Sequence, residues 1–341
     1  TGTLGIRGAS LHNLRGLDAD LPLGALVGVC GVSGSGKSTL VEGILVPALL
    51  RRLGRGVEEK EGALGALAGA EGLAEAVLVD QSPIGRSPRS NPATYAGAWT
   101  PIRKAFAGTA DARARRFSAS TFSFNSPGGR CERCEGAGHE TLEMQFLADV
   151  FVPCPECGGK RFRPEVLRVR LRGRSVDEVL RMTVEEALGF FEGEEGALRG
   201  LRPLAEVGLG YLRLGQPGTT LSGGEAQRLK LAAHLGGGKE KGGTLFVLDE
   251  PTTGLHAADV RVLLRALHGL VDRGHSVLVV EHNVDVLRSC DFLLELGPEG
   301  GDRGGRVVAS GTPEDIARAA TLTGRALVIG TEPGSLSSPG R

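Results

Sequence analysis

The chain has 341 residues, 40% of them hydrophobic and 23% charged, enough for a substantial core in one large or two ordinary domains. Lys+Arg and Asp+Glu are equal at 40 each, so whole-chain charge points to no partner and the local distribution must be read instead. No apolar run approaches the length needed to cross a bilayer and no secretory or transit signal is visible, so a cytoplasmic protein without a membrane partner is expected. A chain that begins with Thr rather than Met is expected to be a segment of a longer protein.

In chain order, residues 1–50 read as strand, turn, strand, glycine-rich loop and helix. Gly54 to Leu73 is rich in Gly, Ala and Glu and reads as a surface excursion. Ala76-Val77-Leu78-Val79-Asp80 is a short strand leading to Gln81. Ser82 to Pro101 is full of Pro, Ser, Asn and Arg and reads as ordered loop. Val166 to Arg172 alternates with period two and predicts a basic strand. Thr183 to Phe191 predicts a helix, with Thr183 and Glu186 at capping-box spacing. The pattern after Ser222 is helical through Leu235, residues 245–248 form a buried strand, and Asp259 to Val271 form an amphipathic helix. Strands follow near 277–280 and 292–296, and the last ~20 residues read as a loose tail. Alternating strands and helices imply an α/β fold with a parallel sheet.

Chemistry enters at Gly31-Val32-Ser33-Gly34-Ser35-Gly36-Lys37-Ser38-Thr39, a complete P-loop. Its glycines let backbone N–H groups converge on phosphate oxygens at a helix N-terminus; Lys37 reaches the β- and γ-phosphates and Ser38 places a hydroxyl on Mg2+. Asp249 ends the strand Leu245–Leu248, where a carboxylate holds Mg2+ directly or through water. Glu250 beside it can orient or deprotonate the attacking water, and His282, after the strand 277–280, can contact the γ-phosphate. Gln81 is a candidate for sensing Mg2+ or the lytic water. Leu221-Ser222-Gly223-Gly224-Glu225 opens a helix with Ser222 as N-cap, making Ser222, Gly223 and Gly224 a second anion site.

Leu-Ser-Gly-Gly-Glu-Ala-Gln-Arg resembles the signature of ABC ATPases. In that family the signature of one module covers the γ-phosphate held by the P-loop of another, so the resemblance implies two half-sites per module, with Gln81 as the Q-loop and His282 as the switch histidine. His256 departs from the general ABC pattern, standing where the D-loop usually ends in Asp. No aromatic residue precedes the P-loop to stack on adenine; His12 is the only ring there.

Between P-loop and signature lie Cys131-x-x-Cys134 and, after nineteen residues, Cys154-x-x-Cys157. Two such knuckles supply four thiolates in the tetrahedral geometry that suits Zn2+, with an iron–sulfur cluster as the alternative. A four-thiolate site is closed, so it staples rather than catalyses. Cys30 and Cys290 stand alone in apolar surroundings, as core residues. From Pro101 to Arg174 there are fourteen Lys/Arg against eight Asp/Glu, a basic stretch in a neutral chain. Phe106, Phe117, Phe122, Phe124, Phe146, Phe151 and Phe162 are interleaved and read as small-domain core rather than base-stacking platforms.

Asp80 through Tyr95, Arg116 through Asn125, Gly129-Arg-Cys-Glu, Phe151-Val-Pro-Cys, Asp249-Glu-Pro-Thr-Thr-Gly-Leu-His256, Val280-Glu-His-Asn283 and Leu296-Gly-Pro-Glu-Gly-Gly301 are similar to segments of the UvrA family, the damage-recognition ATPases of bacterial nucleotide excision repair. The likeness runs over roughly residues 1 to 320 and fits the C-terminal of that family's two ABC modules, whose D-loop also ends in His. It implies an ABC-type P-loop ATPase with an inserted zinc-binding signature domain: ATPase core over 1–85 and 221–320, insert over 86–220, flexible tail over 321–341. It implies ATP, Mg2+ and Zn2+ as cofactors. It implies double-stranded DNA, an N-terminal ABC module and a homodimer partner as partners, and UvrB through a domain this chain does not contain. Arg103, Lys104, Arg113, Arg115, Arg116 and Arg130 are the candidates for DNA phosphate contacts. The alternatives are a paralogue conferring resistance to DNA-binding drugs, and a transporter-type ATPase subunit.

Overall fold

The computed structural model describes residues 2–55, 62–85, 87, 89–142, 150–236 and 243–329. Its strands, in chain order, are β1 (Thr3–Leu11), β2 (Leu14–Pro22), β3 (Leu26–Gly31), β4 (Ala66–Ala68), β5 (Glu75–Val79), β6 (His139–Leu142), β7 (Val150–Pro153), β8 (Thr244–Asp249), β9 (Ser276–Val280), β10 (Phe292–Gly297) and β11 (Arg306–Gly311). The chain folds as two compact units, residues 1–80 with 239–341, and residues 81–238. The signature helix thus belongs to the central unit, whereas the sequence-based division assigns it to the core from 221 onward.

The first unit is built on a six-stranded sheet in the order β11-β10-β3-β9-β8-β5. β10, β3, β9, β8 and β5 run parallel, and β11 closes the edge antiparallel to β10. β3 and β9 are apolar almost end to end because both faces are covered, as parallel strands require. A second, antiparallel sheet, β2-β1-β4, carries Leu4, Ile6 and Leu17 into the same core as Val29, Val247 and Leu278 of the parallel sheet. The helical segment after the P-loop supplies Leu40, Ile44, Leu45 and Leu49 to that core. Each such side chain, fully buried, contributes about 1.5–3 kcal/mol.

That segment runs as α-helix Lys37–Leu40, a π turn Val41–Leu45 and α-helix Val46–Arg52. Pro47 explains the interruption, since it has no N–H to give the Gly43 carbonyl one turn back. Gly62 N–H takes that carbonyl instead, at 3.3 Å.

In the central unit, Phe106, Phe122, Phe124 and Phe162 are buried, as read from sequence, with Trp99 stacked on Phe124 at 5.3 Å between ring centres. Phe151 is exposed instead, on β7, and Phe146 lies outside the described residues. The helix Val184–Phe190 has its capping box between Thr183 and Glu186.

Three expectations are corrected. Val166 to Arg172 is not a strand: Pro164–Arg168 is a short helix, with Pro164 in its first turn, and Leu171 then pairs back on Arg174. The buried residues there, Val166 and Val169, are spaced by three, a helical rather than alternating separation. Residues 82–101 are not continuous loop, because Asn91 caps a helical turn Pro92–Tyr95 and a second helix starts at Trp99. The expected tail from 321 contains the helix Leu322–Ile329, and its remainder lies outside the described residues.

Candidate functional site

The P-loop leaves β3 at Gly31 (φ 128) and enters its helix through Gly36 (φ 102), both in the left-handed region that favours glycine. A Cβ on Gly31 would run into the Leu296 carbonyl oxygen of β10. Ser33, Gly34 and Ser38 stand exposed on the loop, Thr39 is half-buried, and Ser35 and Lys37 are buried beneath. Lys37 is 7% exposed, and its Nζ donates to the carbonyls of Gly31 at 3.0 Å and Val32 at 2.9 Å. Burial pushes its ammonium below the usual lysine range, while the charges of Glu250, Cys30 and Asp249 oppose that shift. The loop is braced from behind: Asn13 Nδ2 donates to the carbonyls of Gly34 and Gly301, both at 3.1 Å, and Gly305 N–H donates to the Ser35 carbonyl at 3.0 Å.

Asp249 and Glu250 stand where β8 ends, and His282 just beyond β9, so the carboxyl ends of three adjacent strands carry the charged groups. Burial raises the Asp249 carboxyl above the ordinary Asp value; Glu250 adds to this, and a hydrogen bond with Glu42 and the Lys37 charge oppose it. Glu250 has φ 42, a left-handed conformation a glutamate rarely adopts, held by its N–H donating to the Val280 carbonyl at 2.9 Å. That turn brings Glu250 Oε1 to 3.5 Å from His282 Nε2.

Sequence reasoning missed the residue that holds these loops. Glu281 is 2% exposed, and its carboxylate accepts four hydrogen bonds: from Thr252 N–H (2.9 Å) and Oγ1 (2.6 Å), His282 N–H (2.9 Å) and Asn283 N–H (3.1 Å). One carboxylate thus fixes the segments following both Glu250 and the last strand residue, Val280. The signal was an acidic residue directly continuing the apolar run Val277–Val280 of a buried strand, where it cannot face water. His256 acts structurally, as a helix cap. Its Nδ1 accepts from Ala258 N–H at 3.5 Å at the start of the helix Ala257–Asp272, in the place an Asp would otherwise fill.

In the central unit, Ser222 caps the helix Gly223–Gly236. Its Oγ accepts from Glu225 N–H at 3.3 Å, and Glu225 Oε2 accepts from Ser222 N–H at 2.8 Å. Gln81 lies against Gly223, where an added Cβ would sit 3.0 Å from Gln81 Oε1. Gly224 follows within the first turn, so the signature and Gln81 share one surface of this unit.

The four sulfurs of Cys131, Cys134, Cys154 and Cys157 lie within 4.8 Å of one another. Cys134 and Cys157 are separated by 3.7 Å, and Cys131 and Cys154 by 4.0 Å. A tetrahedron of Zn–S bonds of about 2.3 Å requires S···S near ~3.8 Å, so this donor set fits zinc. Burial pushes the Cys157 thiol up to about 12. In Cys154 burial also raises the thiol, but hydrogen bonds from the N–H groups of Cys157 and Glu156 and from the Cys157 and Cys134 thiols turn the net direction down. Cys30 and Cys290 are buried core residues, as expected.

The basic candidates divide. Arg103, Lys104, Arg113, Arg115 and Arg116 occupy two consecutive helices, Trp99–Ala107 and Ala110–Ala114, and the turn after them. Lys104 and Arg116 are exposed, whereas Arg115 pairs with Asp111 at 2.8 Å and Arg113 donates to the Gly108 carbonyl at 2.7 Å. Arg103 is half-buried; Arg130 is separate, beside the first cysteine pair, and meets Glu135 at 3.4 Å.

UvrABC system protein A of Thermus thermophilus is 54% identical over 319 residues, 94% of this chain and 33% of that protein. The same protein of Mycobacterium tuberculosis is 54% identical over 325 residues, 95% of this chain and 33% of that protein. The crystal structure of UvrA2 from Deinococcus radiodurans superposes with a TM-score of 0.89 at 50% identity, covering 96% of this chain and 40% of that one. The chain is a UvrA homologue. It spans about a third of the length of the curated UvrA relatives it matches. No family model matches it. The UvrA likeness establishes the fold expected from sequence, an ABC-type α/β ATPase fold with an inserted four-cysteine module. Among the described residues no helix is long and apolar enough to cross a membrane.

Proposed function

We propose that this chain is an ATP-hydrolysing, DNA-binding module of nucleotide excision repair that recognises distorted duplex DNA as part of a UvrA-type protein. The observation that carries the reading is the pairing, in one UvrA-homologous chain, of the Lys37–Asp249–Glu250–His282 group with a four-thiolate cluster inserted before the signature.

ATP is held by the N–H groups of the Gly31–Thr39 loop, with Lys37 against its outer phosphates. Ser38 and Asp249 supply the hard oxygen donors that Mg2+ takes, and when bound the ion neutralises charge developing on the transferred phosphoryl group. Glu250 accepts the proton of the attacking water as its oxygen bonds to the γ-phosphorus and the β–γ bridge breaks to release ADP. His282 and Gln81 orient the water and the γ-phosphate. Ser222, Gly223 and Gly224 cap the phosphate bound by a second ABC module, whether the N-terminal one or that of a dimer partner, and hydrolysis therefore needs such a partner.

The four cysteines hold Zn2+ and give the insert a rigid frame. Arg103, Lys104 and Arg113 on its two consecutive helices, Arg115 and Arg116 in the turn after them, and Arg130 contact DNA phosphates. Lesions are sensed through deformability rather than base edges. UvrB engages a part of the longer protein outside this chain.

Fluorescence anisotropy on duplexes with and without a bulky lesion, at two salt concentrations and with and without ATP, tests this. Tighter, nucleotide-dependent binding to the lesion duplex that weakens steeply with salt is expected. Equal, weak binding to every duplex regardless of nucleotide would refute the DNA-repair reading.

A further inference from the structure

Arg161 follows the second cysteine pair by four residues and is 7% exposed, although it carries a full charge. Its backbone is left-handed (φ 68), which turns its two main-chain groups toward two cysteines. Its N–H donates to Cys157 Sγ, and its carbonyl accepts from Cys131 N–H at 2.9 Å. The side chain leaves the cysteines in another direction. The guanidinium carbon lies 5.4 Å over the Phe124 ring, and Nη2 donates to the Gly215 carbonyl at 3.0 Å. Nη1 is buried with no hydrogen-bond partner among the described residues.

A buried guanidinium with one open nitrogen is expensive unless a negative charge stands near it. Burial pushes the guanidinium below the usual arginine range, and the nearby Cys134, Asp177 and Cys157 oppose that shift, two of them cysteines of the cluster. Four thiolates around a divalent cation would leave a centre with two net negative charges, so a loaded centre and the Asp177 carboxylate together offset the Arg161 charge. The other end of the fork reaches Gly215, six residues before Leu221. Gly215 is fixed further by its N–H donating to the Leu180 carbonyl at 2.8 Å, and Gly218 by its N–H donating to the Ser90 carbonyl at 2.7 Å. From there a 3-10 turn, Gly218–Thr220, leads straight to the Ser222 cap.

We propose that Arg161 is a positioning residue that couples the four-thiolate metal centre to the loop preceding the Ser222-Gly223-Gly224 signature: its charge balances the centre and its fork holds the Gly215 carbonyl. The state of the metal-stapled insert is thereby transmitted to the element that caps a partner module's nucleotide. The inference rests on the reading of the cysteines as a zinc site. An ordinary core arginine would stabilise both regions but would not make one depend on the other.

Hydrogen exchange by mass spectrometry on the protein, zinc-loaded and zinc-stripped, tests the coupling in the wild type, Arg161→Met and Arg161→Lys. In the wild type, stripping should speed exchange of the 215–222 amides about fivefold or more. In R161M those amides should already exchange fast, and stripping should add less than about twofold. Transfer of zinc to a chromogenic chelator should be about tenfold faster in R161M. R161K keeps the charge but not the planar fork, so it should recover zinc retention without recovering loop protection; if R161M does not fold, this split in R161K decides the matter. The proposal is overturned if stripping loosens 215–222 equally in wild type and variant, or leaves it unchanged in wild type. Protein that purifies without metal overturns the zinc reading and this inference together, whereas zinc present without coupling overturns the inference alone.

Discussion

His282 Nε2 lies 3.5 Å from Glu250 Oε1, and the two side chains meet from the ends of neighbouring strands, β9 and β8. The left-handed turn at Glu250 and the four hydrogen bonds to Glu281 hold them there. These are the two side chains that the proposed mechanism assigns to the attacking water and the γ-phosphate.

Glu250→Gln removes the proposed proton acceptor and leaves the phosphate cradle intact. Hydrolysis, followed by phosphate release, should fall by about 10²–10⁴-fold, while affinity for a fluorescent ATP analogue stays within about twofold. Unchanged turnover would remove Glu250 from the base role.

Glu281→Gln acts one step back. An amide in place of the carboxylate cannot accept all four donors and turns an NH2 toward two of them. Denaturant unfolding should show a loss of about 1–3 kcal/mol, and kcat should drop with KM little changed, because the loops carrying Glu250 and His282 lose their common anchor.

Asp249→Asn should separate stability from function. Burial raises the folded-state value of Asp249 above its unfolded one, so between the two the native state binds more protons and stability falls as pH rises. The destabilisation is fully present above the raised value and absent below the ordinary carboxylate range. Without nucleotide, the variant should therefore unfold at higher denaturant than wild type near neutral pH, with the gap closing as pH falls toward that range. Its Mg2+-dependent hydrolysis should be lost.

Two glycines give a matched contrast. Gly31→Ala forces a Cβ onto the Leu296 carbonyl at φ 128 and should cost about 3 kcal/mol or more, together with nucleotide binding. Gly254→Ala, at φ 76 with open space around it, should cost only the left-handed strain, about 1–2 kcal/mol. Equilibrium unfolding of both variants checks the difference.

The sequence made the parallel core legible because strands covered on both faces must be apolar throughout; Leu26–Gly31 and Ser276–Val280 have no other place to go. The P-loop, the signature and the cysteine spacing were legible because their chemistry fixes residue types at fixed offsets. Val166 to Arg172 was not, since a short run of alternating Val, Leu and Arg fits a strand as well as a helical turn, and only the packing of Val166 and Val169 decides. The helix Leu322–Ile329 was hidden by its position near a Gly- and Ser-rich end, although Leu327 is buried. Asn13 and Glu281 escaped notice because they bond groups distant in sequence, Gly301 and Thr252; the apolar run before Glu281 reports that it is buried but not what it holds.

The most direct test of the whole account is the metal content of the purified protein, by elemental mass spectrometry. One zinc per chain, released only when the four thiols of Cys131, Cys134, Cys154 and Cys157 are modified, is the predicted result. Less than a tenth of an equivalent of zinc, or iron with acid-labile sulfide in its place, would contradict it.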